Sequence, residues 1–279
     1  MSADDALMHC ANELRQHDAD RYLVTTLLPP PTRRIALALF ALDLELARIP
    51  DAVSERALGE MRIQFWRDTL TGLSAGTVAA HPVAQALAET LGADVPLPIL
   101  LDVVDARGGD LAEAPPANMA ELVQYGARTA GALNVLLMMF LGVKDPAVAQ
   151  AARAAGTGWS LIGLMRDLPR ALGHRRLRIP EDVLIELAVN REAAFAGHFT
   201  PELGKAVSAV VAEAETHLTE ARQTPLPKPA RPVFATVLLA VRDAKTLQKA
   251  NGNPFGLKPP GPISRQLTMA LSVLTGKKG

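Results

Sequence analysis

The sequence predicts an all-α protein that folds as a single-domain helical bundle. Apolar residues recur at spacings of three and four positions in most long segments, and no segment shows the period-two alternation of a half-buried strand. Of the 279 residues, 49% are hydrophobic but only 4% are aromatic, so that alanine and leucine must fill the core. Small side chains of this kind suit helices that pack closely together.

Prolines and glycines divide the chain into the predicted helices. The first helix ends at Pro29, Pro30 and Pro31, because proline has no backbone donor for the helical ladder. Proline also stands at or just before the start of several later helices, where its fixed backbone angle is favourable. The predicted helices comprise residues 4–28, 35–49, 54–73, 83–91, 99–107, 119–142, 147–168, 181–187, 202–222, 233–249 and 263–274.

The segment 35–49 has the strongest helical signal in the chain. Its apolar residues cover two stripes that together surround nearly the whole helix, and a helix of this kind is buried. The charged residues Asp43, Glu45 and Arg48 must therefore be paired or face a cavity. We expect this helix to be the core of a bundle or the wall of a pocket, with an internal charge network or a ligand site as the alternatives for its charges.

The helix predicted over 54–73 also shows one apolar side. Leu58, Met61, Phe65 and Leu73 recur at helical spacing, which predicts that these four side chains form its buried face.

Composition excludes several classes of protein. The net charge is zero and no long basic run occurs, so nucleic acid is not an expected partner. The single cysteine, Cys10, excludes an intramolecular disulfide framework and fits a reducing compartment. The N-terminus lacks the features of a signal peptide, and the longest nearly apolar run, 131–143, is shorter than the roughly 20 residues needed to cross a bilayer. We therefore expect a soluble, cytoplasmic protein, with peripheral contact to the inner face of the membrane left open.

We expect residues 1–250 to form the helical domain and 251–279 to form a tail that contacts a membrane or a partner. Lys277 and Lys278 follow an apolar turn, an arrangement found in weak membrane-surface anchors. A frayed terminus is the alternative for this end of the chain.

Common catalytic motifs are missing from the sequence. The six histidines are scattered, so no zinc site with the usual ligand spacing is expected. No nucleophile elbow, Walker loop or dinucleotide-binding glycine motif occurs. For an all-α protein of this size, a natural hypothesis is magnesium-dependent chemistry on a prenyl diphosphate, which needs carboxylates at i and i+4 on two helices that face each other.

Five motifs in order resemble the squalene/phytoene synthase family between about residue 22 and about residue 189. They are the basic pair Arg33-Arg34, the buried helix after it, DVVDARGGDL at 102–111, YGARTAG at 125–131, and the segment 160–182, which holds RDLPRA and ends in RRLRIPED. The resemblance implies the helical fold of the isoprenyl diphosphate synthases and two aspartate-rich motifs that hold Mg²⁺.

Both aspartate-rich motifs depart from the family pattern. In the first motif, Ala47 and Arg48 occupy aspartate positions and only Asp51 is retained. In the second motif, Asp167 is retained but its i+4 partner is Ala171. Because each motif keeps one acid of its pair, we interpret Asp51 and Asp167 as remnants, the catalytic metal site as lost, and the protein as one without a cofactor.

The strings ALDLELARIPDAVSE at 41–55 and MRIQFWRDTL at 61–70, together with these departures, resemble the branch of the family that includes the mitochondrial assembly factor for respiratory complex I and its bacterial relatives. The resemblance implies a non-catalytic protein that assists in building the NADH:quinone oxidoreductase, with subunits of complex I as partners. The alternatives are an active Mg²⁺-dependent head-to-head prenyl transferase and a carrier of an isoprenoid or anionic lipid. The candidates for residual substrate binding are Arg33, Arg34, Arg48, Tyr125 and Arg166.

Two basic features have a structural alternative. Arg166-Asp167 is either the remnant of a diphosphate site or an ion pair between helices. The group His174, Arg175, Arg176 and Arg178 is either a solvated loop or a contact for an anionic headgroup.

Overall fold

A computed structural model describes residues 2–257 and 261–276, and within these ranges the chain forms helices, turns and loops without any β-strand. The all-α prediction is therefore confirmed. The described residues divide into two compact units, which lie within Met1–Leu111 and Ala112–Gly279. The boundary falls between the glycine pair Gly108-Gly109 and the proline pair Pro115-Pro116.

The first unit contains six α-helices among its described residues. They are α1 (Ala3–His17), α2 (Ala19–Leu27), α3 (Pro30–Arg48), α4 (Arg56–Ser74), α5 (Pro82–Leu91) and α6 (Leu97–Gly108), with short 3-10 turns at Ile49–Asp51 and Gly109–Leu111. Helix α3 contacts α1, α2, α5 and α6, and it is buried from Ala38 to Asp43 without interruption. This confirms the prediction that the helix apolar on nearly all sides is buried.

The predicted first helix is divided at Asp18. This residue leaves helical geometry with φ −143° and ψ 65°, and its carboxylate accepts a hydrogen bond of 3.2 Å from the backbone N–H of Arg21. Asp18 thus caps the start of α2. Apolar periodicity did not reveal the break, because α1 and α2 each continue the pattern on their own.

The predicted buried face of the helix at 54–73 was wrong for three of its four residues, and only Leu73 is buried as predicted. Leu58, Met61 and Phe65 of α4 are 45%, 68% and 41% exposed, whereas Ile63 and Trp66 are buried. The helix carries two apolar stripes, and either one satisfies helical spacing. Helix α4 contacts α6, and its buried stripe is the one that contains Ile63 and Trp66.

The second unit contains nine α-helices among its described residues. They are α7 (Met119–Gly126), α8 (Ala132–Phe140), α9 (Pro146–Arg166), α10 (Leu168–Gly173), α11 (Glu181–Glu186), α12 (Arg191–Phe195), α13 (Pro201–Gln223), α14 (Ala235–Lys249) and α15 (Pro262–Thr275). A π-helical turn at Ala127–Gly131 and a 3-10 segment at Lys228–Phe234 complete the set.

Helix α9 forms the centre of the second unit, where it contacts α7, α8, α13 and α14. A Cβ atom on Gly156 would lie 2.4 Å from the carbonyl oxygen of Ala130, and one on Gly158 would lie 2.7 Å from Cγ of Leu218. Only glycine permits these close approaches. The contact with Gly156 lies at the π-helical turn, which changes the local geometry inside the helical run 119–140 that the sequence predicted over 119–142.

The amphipathic helix predicted at 263–274 corresponds to α15. This helix contacts α14 and the 3-10 segment Lys228–Phe234, which precedes α14. Lys277 and Lys278 lie outside the described residues. Among the described helices, none combines the length and the hydropathy that a bilayer-spanning segment requires.

Candidate functional site

The first motif lies at the end of α3 and in the 3-10 turn that follows. Ala47 is half-buried, while Arg48 and Asp51 are exposed. Nη1 of Arg48 donates to Oε2 of Glu13 on α1 over 2.8 Å. Arg48, at a family aspartate position, is therefore already engaged by a carboxylate of the same unit.

Arg33, at the start of α3, binds the end of the preceding helix. Its guanidinium donates to the backbone carbonyl oxygens of Thr25, Thr26 and Leu28 over 3.1, 3.0 and 3.2 Å. The carbonyls at a helix C-terminus have no partner within the helix, and a positive charge there also interacts favourably with the helix dipole. The structure thus gives Arg33 the role of a cap for α2.

Arg34 points to a different set of partners. Its Nη2 donates to Oε1 of Glu89 on α5 over 2.6 Å, and its Nη1 lies 3.4 Å from Oδ1 of Asp4. The hydrogen bond to Glu89 raises the pKa of this exposed guanidinium above its usual value. Arg34 connects α3 with α5 and with the start of α1.

A buried ionic network lies beside the first motif. Asp43 of α3 is fully buried, and its carboxylate accepts from Nη1 of Arg21 on α2 over 2.5 Å. Arg107 of α6 binds the same carboxylate in bidentate fashion, with Nε to Oδ1 at 2.8 Å and Nη2 to Oδ2 at 2.7 Å. Arg107 also lies 3.5 Å from Oδ2 of Asp110. Three helices of the first unit are therefore tied together by one carboxylate.

The network sets the ionisation of Asp43. Burial alone raises the pKa of this carboxyl, but the charges and hydrogen bonds of Arg107 and Arg21 outweigh burial and hold the pKa well below its usual range. Asp43 was predicted to be paired or to face a cavity, and in the structure it is paired. Its partners Arg21 and Arg107 lie 22 and 64 residues away along the chain, so no local pattern indicated them.

The second motif lies where α9 ends and α10 begins. Asp167 separates the two helices, and its carboxylate accepts from Nε and Nη2 of Arg170 over 3.0 and 2.6 Å. Its i+4 position is Ala171, which offers no ligand. Nη1 of Arg166 donates to Oδ2 of Asp243 on α14 over 2.8 Å. Arg166 and Asp167 each have a partner within the second unit, and the pair of Arg166 with Asp243 joins α9 to α14.

Tyr125 lies in the last turn of α7, immediately before the π-helical turn, and is half-buried. Its backbone carbonyl accepts a hydrogen bond of 2.8 Å from Oγ1 of Thr129. The YGARTAG motif therefore marks an irregular helical segment that packs on α9.

The basic loop after α10 is partly engaged in structure. Nη2 of Arg175 donates to Oε1 of Glu192 over 2.7 Å, and its guanidinium lies 4.5 Å from the centre of the Phe195 ring. Both contacts connect the loop to α12, an arrangement that the sequence analysis did not foresee.

The two motifs do not supply the ligands that magnesium requires. Mg²⁺ is held by carboxylates and water in octahedral geometry, yet the first motif offers Asp51 and the second offers Asp167, which Arg170 already binds. Within the ranges 2–257 and 261–276, no group of three or more His, Cys, Asp or Glu side chains is placed to hold a metal ion. The residues present therefore do not fit the metal site that the resemblance implies.

Comparison with known proteins agrees with the resemblance in the sequence. Residues 14–269 match the squalene/phytoene synthase family. The chain is 28% identical over 254 residues to the rat protein named NADH dehydrogenase (ubiquinone) complex I, assembly factor 6, covering 90% of this chain and 76% of that protein. It is 24% identical over 245 residues to the chloroplastic phytoene synthase of Narcissus pseudonarcissus, covering 84% and 58% of the two chains. The crystal structure of a dehydrosqualene synthase in complex with ligand has the same fold, with a TM-score of 0.80 and 16% identity over 98% of this chain and 97% of that chain.

Proposed function

Because the chain belongs to the squalene/phytoene synthase family, we propose that it is a non-catalytic member that assists the assembly of respiratory complex I, the NADH:quinone oxidoreductase. Supporting this proposal, relatives at 28% identity carry the name of a complex I assembly factor, whereas the phytoene synthase matches at 24%. The observation that carries the proposal is the state of the two motifs, in which alanine or arginine stands at three family aspartate positions.

Electrostatics explains why this state matters. Ionisation of a prenyl diphosphate leaves a diphosphate anion, and the family uses metal ions bound by paired carboxylates to neutralise it. Arg48 places a positive charge where a metal ligand belongs, and Arg170 occupies the carboxylate of Asp167. The fold is retained, but the donors that bring metal ions to the substrate are not.

The proposed client, complex I, is a membrane enzyme, so a protein that assists its assembly must reach the membrane surface. We propose that the protein acts on the cytoplasmic side as a peripheral protein, with subunits of complex I as partners. The test is deletion of the gene followed by measurement of assembled complex I on native gels and of NADH:quinone activity in membranes. Deletion should lower both, and the wild-type gene should restore them.

Variants of the retained acids separate an assembly role from catalysis. Asp51→Ala and Asp167→Ala remove exposed side chains, so both proteins should fold and both should restore complex I as well as the wild type does. If the protein were an active prenyl transferase with altered ligands, either substitution would abolish complementation.

A direct assay tests the same point with purified protein. We expect no squalene- or phytoene-type product after incubation with farnesyl or geranylgeranyl diphosphate and Mg²⁺. Turnover that disappears in Asp167→Ala would overturn the proposal in favour of the transferase. Lipid that co-purifies with the protein, identified by mass spectrometry, would favour a carrier instead.

A further inference from the structure

Helix α15 presents a straight line of aliphatic side chains to its surroundings. Ile263, Leu267, Leu271 and Leu274 are 71%, 59%, 57% and 77% exposed. At 3.6 residues per turn these four positions lie within about 80° of one another around the helix axis and extend over about 16 Å along it. We call this set the α15 stripe. Scattered apolar side chains on a surface are common, but an aligned set of four on one helix requires an explanation.

The opposite side of α15 is attached to the second unit. Met269 is buried there, and the side chain of Ser264 accepts a hydrogen bond of 2.9 Å from Nη1 of Arg242 on α14. Near the other end of the helix, Nη1 of Arg231 donates to the carbonyl oxygen of Val273 over 3.4 Å. The helix is therefore held along its length, and the α15 stripe faces away from the helices that hold it.

The sequence after Asp243 differs in charge from the rest of the chain. No aspartate or glutamate follows Asp243, whereas six of the 29 lysines and arginines do. The chain up to Asp243 accordingly has 23 basic and 29 acidic residues. The protein is neutral as a whole, but its C-terminal segment after Asp243 is positively charged and the rest is negatively charged. Three of the six basic residues precede α15 in sequence, one lies within it and two follow it; they are Lys245, Lys249, Lys258, Arg265, Lys277 and Lys278.

We propose that α15 binds the surface of a bilayer containing anionic phospholipids, lying parallel to it with the α15 stripe in the acyl–headgroup boundary. An apolar face with basic residues around it is the pattern of helices that lie in the membrane interface. Lysines and arginines near the surface are attracted by the negative potential of anionic lipids. The purely aliphatic stripe lacks the tyrosine, tryptophan and arginine anchors that are enriched at the centres of protein–protein interfaces, which favours lipid over a protein partner.

The exposed apolar face of α4 provides an internal comparison. Leu58, Met61 and Phe65 are exposed to a similar degree, but Glu60 and Asp68 lie on the same helix, so that its surroundings carry both signs of charge. Hydrophobicity alone predicts that both surfaces bind vesicles, whereas our proposal predicts that only α15 does.

The test is co-sedimentation of the full-length chain with vesicles. Wild type should bind vesicles of equal parts phosphatidylcholine and phosphatidylglycerol, and should bind phosphatidylcholine vesicles weakly or not at all. Binding should fall in about 1 M NaCl, where the Debye length is about 3 Å. The double variant Leu267→Gln/Leu271→Gln should bind at least about tenfold more weakly, because two exposed leucines no longer enter the apolar boundary. The matched control Leu58→Gln/Met61→Gln should bind like the wild type.

Three results would overturn the proposal: no binding by the wild type, unchanged binding by the α15 variant, or an equal loss in the α4 control. Circular dichroism should show the same melting temperature for both variants, since all four side chains are exposed. Sedimentation velocity tests the other possible occupant, a second copy of this chain. If the wild type is a dimer, the α15 variant is a monomer and neither binds vesicles, the α15 stripe is a dimer interface and the proposal is overturned.

The inference rests on the peripheral location proposed above, and it identifies the surface that would contact the membrane. The vesicles contain no complex I, so a failure to bind them would not contradict the proposed assembly role. Likewise, a failure of the complementation test would not contradict vesicle binding by α15.

Discussion

Substitution of Asp43 by asparagine should destabilise the first unit more than any other change of one acid to its amide there. The asparagine keeps the shape of the side chain and one carbonyl acceptor, but it removes the negative charge. Arg21 and Arg107 then remain in place with side chains that are only 6% and 14% exposed. The guanidinium groups would share a buried site with no carboxylate between them.

The magnitude follows from the contacts that are lost. Three hydrogen bonds of 2.5–2.8 Å join the Asp43 carboxylate to the two guanidinium groups, and hydrogen bonds to charged groups contribute about 1.5–3 kcal/mol each. Asparagine preserves part of this, and removal of one partner from a buried ion pair costs about 3–5 kcal/mol in other proteins. We therefore expect the free energy of unfolding to fall by about 3–5 kcal/mol.

Urea unfolding followed by tryptophan fluorescence measures this change in one unit at a time. Trp66 lies in the first unit and Trp159 in the second, so a Trp159→Phe background reports on the first unit alone. The matched control is Asp105→Asn in the same background, which breaks the exposed pair with Arg67 and should cost less than about 1 kcal/mol. The reasoning is refuted if Asp43→Asn lies within about 1 kcal/mol of this control.

Acid should remove the difference between the wild type and Asp43→Asn. The pKa of Asp43 is lowered in the folded state, so its contribution is fully present above the unfolded pKa of about 3.9 and is lost as the pH falls from there through the folded pKa. Replacement of Asp43, Arg21 and Arg107 together by apolar residues should recover only part of the stability, since Asp18 and Asp110 then lose the arginines beside them.

Three further predictions concern other parts of the fold. Gly156→Ala should destabilise the second unit by more than about 2 kcal/mol in chemical denaturation, because the added Cβ meets the carbonyl of Ala130, whereas Gly163→Ala on the same helix has open space and should stabilise by about 0.5–1 kcal/mol. Cys10 is buried and its thiol pKa is raised to about 12, so a disulfide reagent at pH 8 should react only when urea opens the first unit, and fast labelling of the folded protein would contradict the structure. Burial lowers the pKa of His81, so stability should decline as the pH falls below the unfolded pKa of 6.5, and His81→Gln should flatten this slope in thermal melts at several pH values.

Several features of this protein could be predicted from its sequence, because they depend on local pattern. The all-α class, the burial of the helix at 35–49 and the amphipathic helix at 263–274 all follow from the spacing of apolar residues, and the structure agrees with each. The replacement of family aspartates by Ala47, Arg48 and Ala171 is likewise legible in the chain, since a side chain without a carboxylate offers no carboxylate ligand in any fold.

The candidate site was predicted less completely. The sequence indicated Arg33, Arg34, Arg48 and Arg166 as candidates for substrate binding, but it did not indicate what each one contacts. In the structure, Arg33 binds the end of α2, and each of the other three arginines binds at least one carboxylate. These partners lie up to 77 residues away along the chain, and no local pattern connects them.

Only the tertiary structure showed which of two apolar stripes on α4 is buried and which arginines neutralise Asp43. It also showed that the π-helical turn packs against α9 at Gly156, where a larger residue would not fit. The physical reason is the same in all three cases. Helical spacing determines which residues share a face, but the helix that covers a face comes from a distant part of the chain. Burial, and with it the free-energy cost of each charge or added methyl group, is therefore a property of the packed structure.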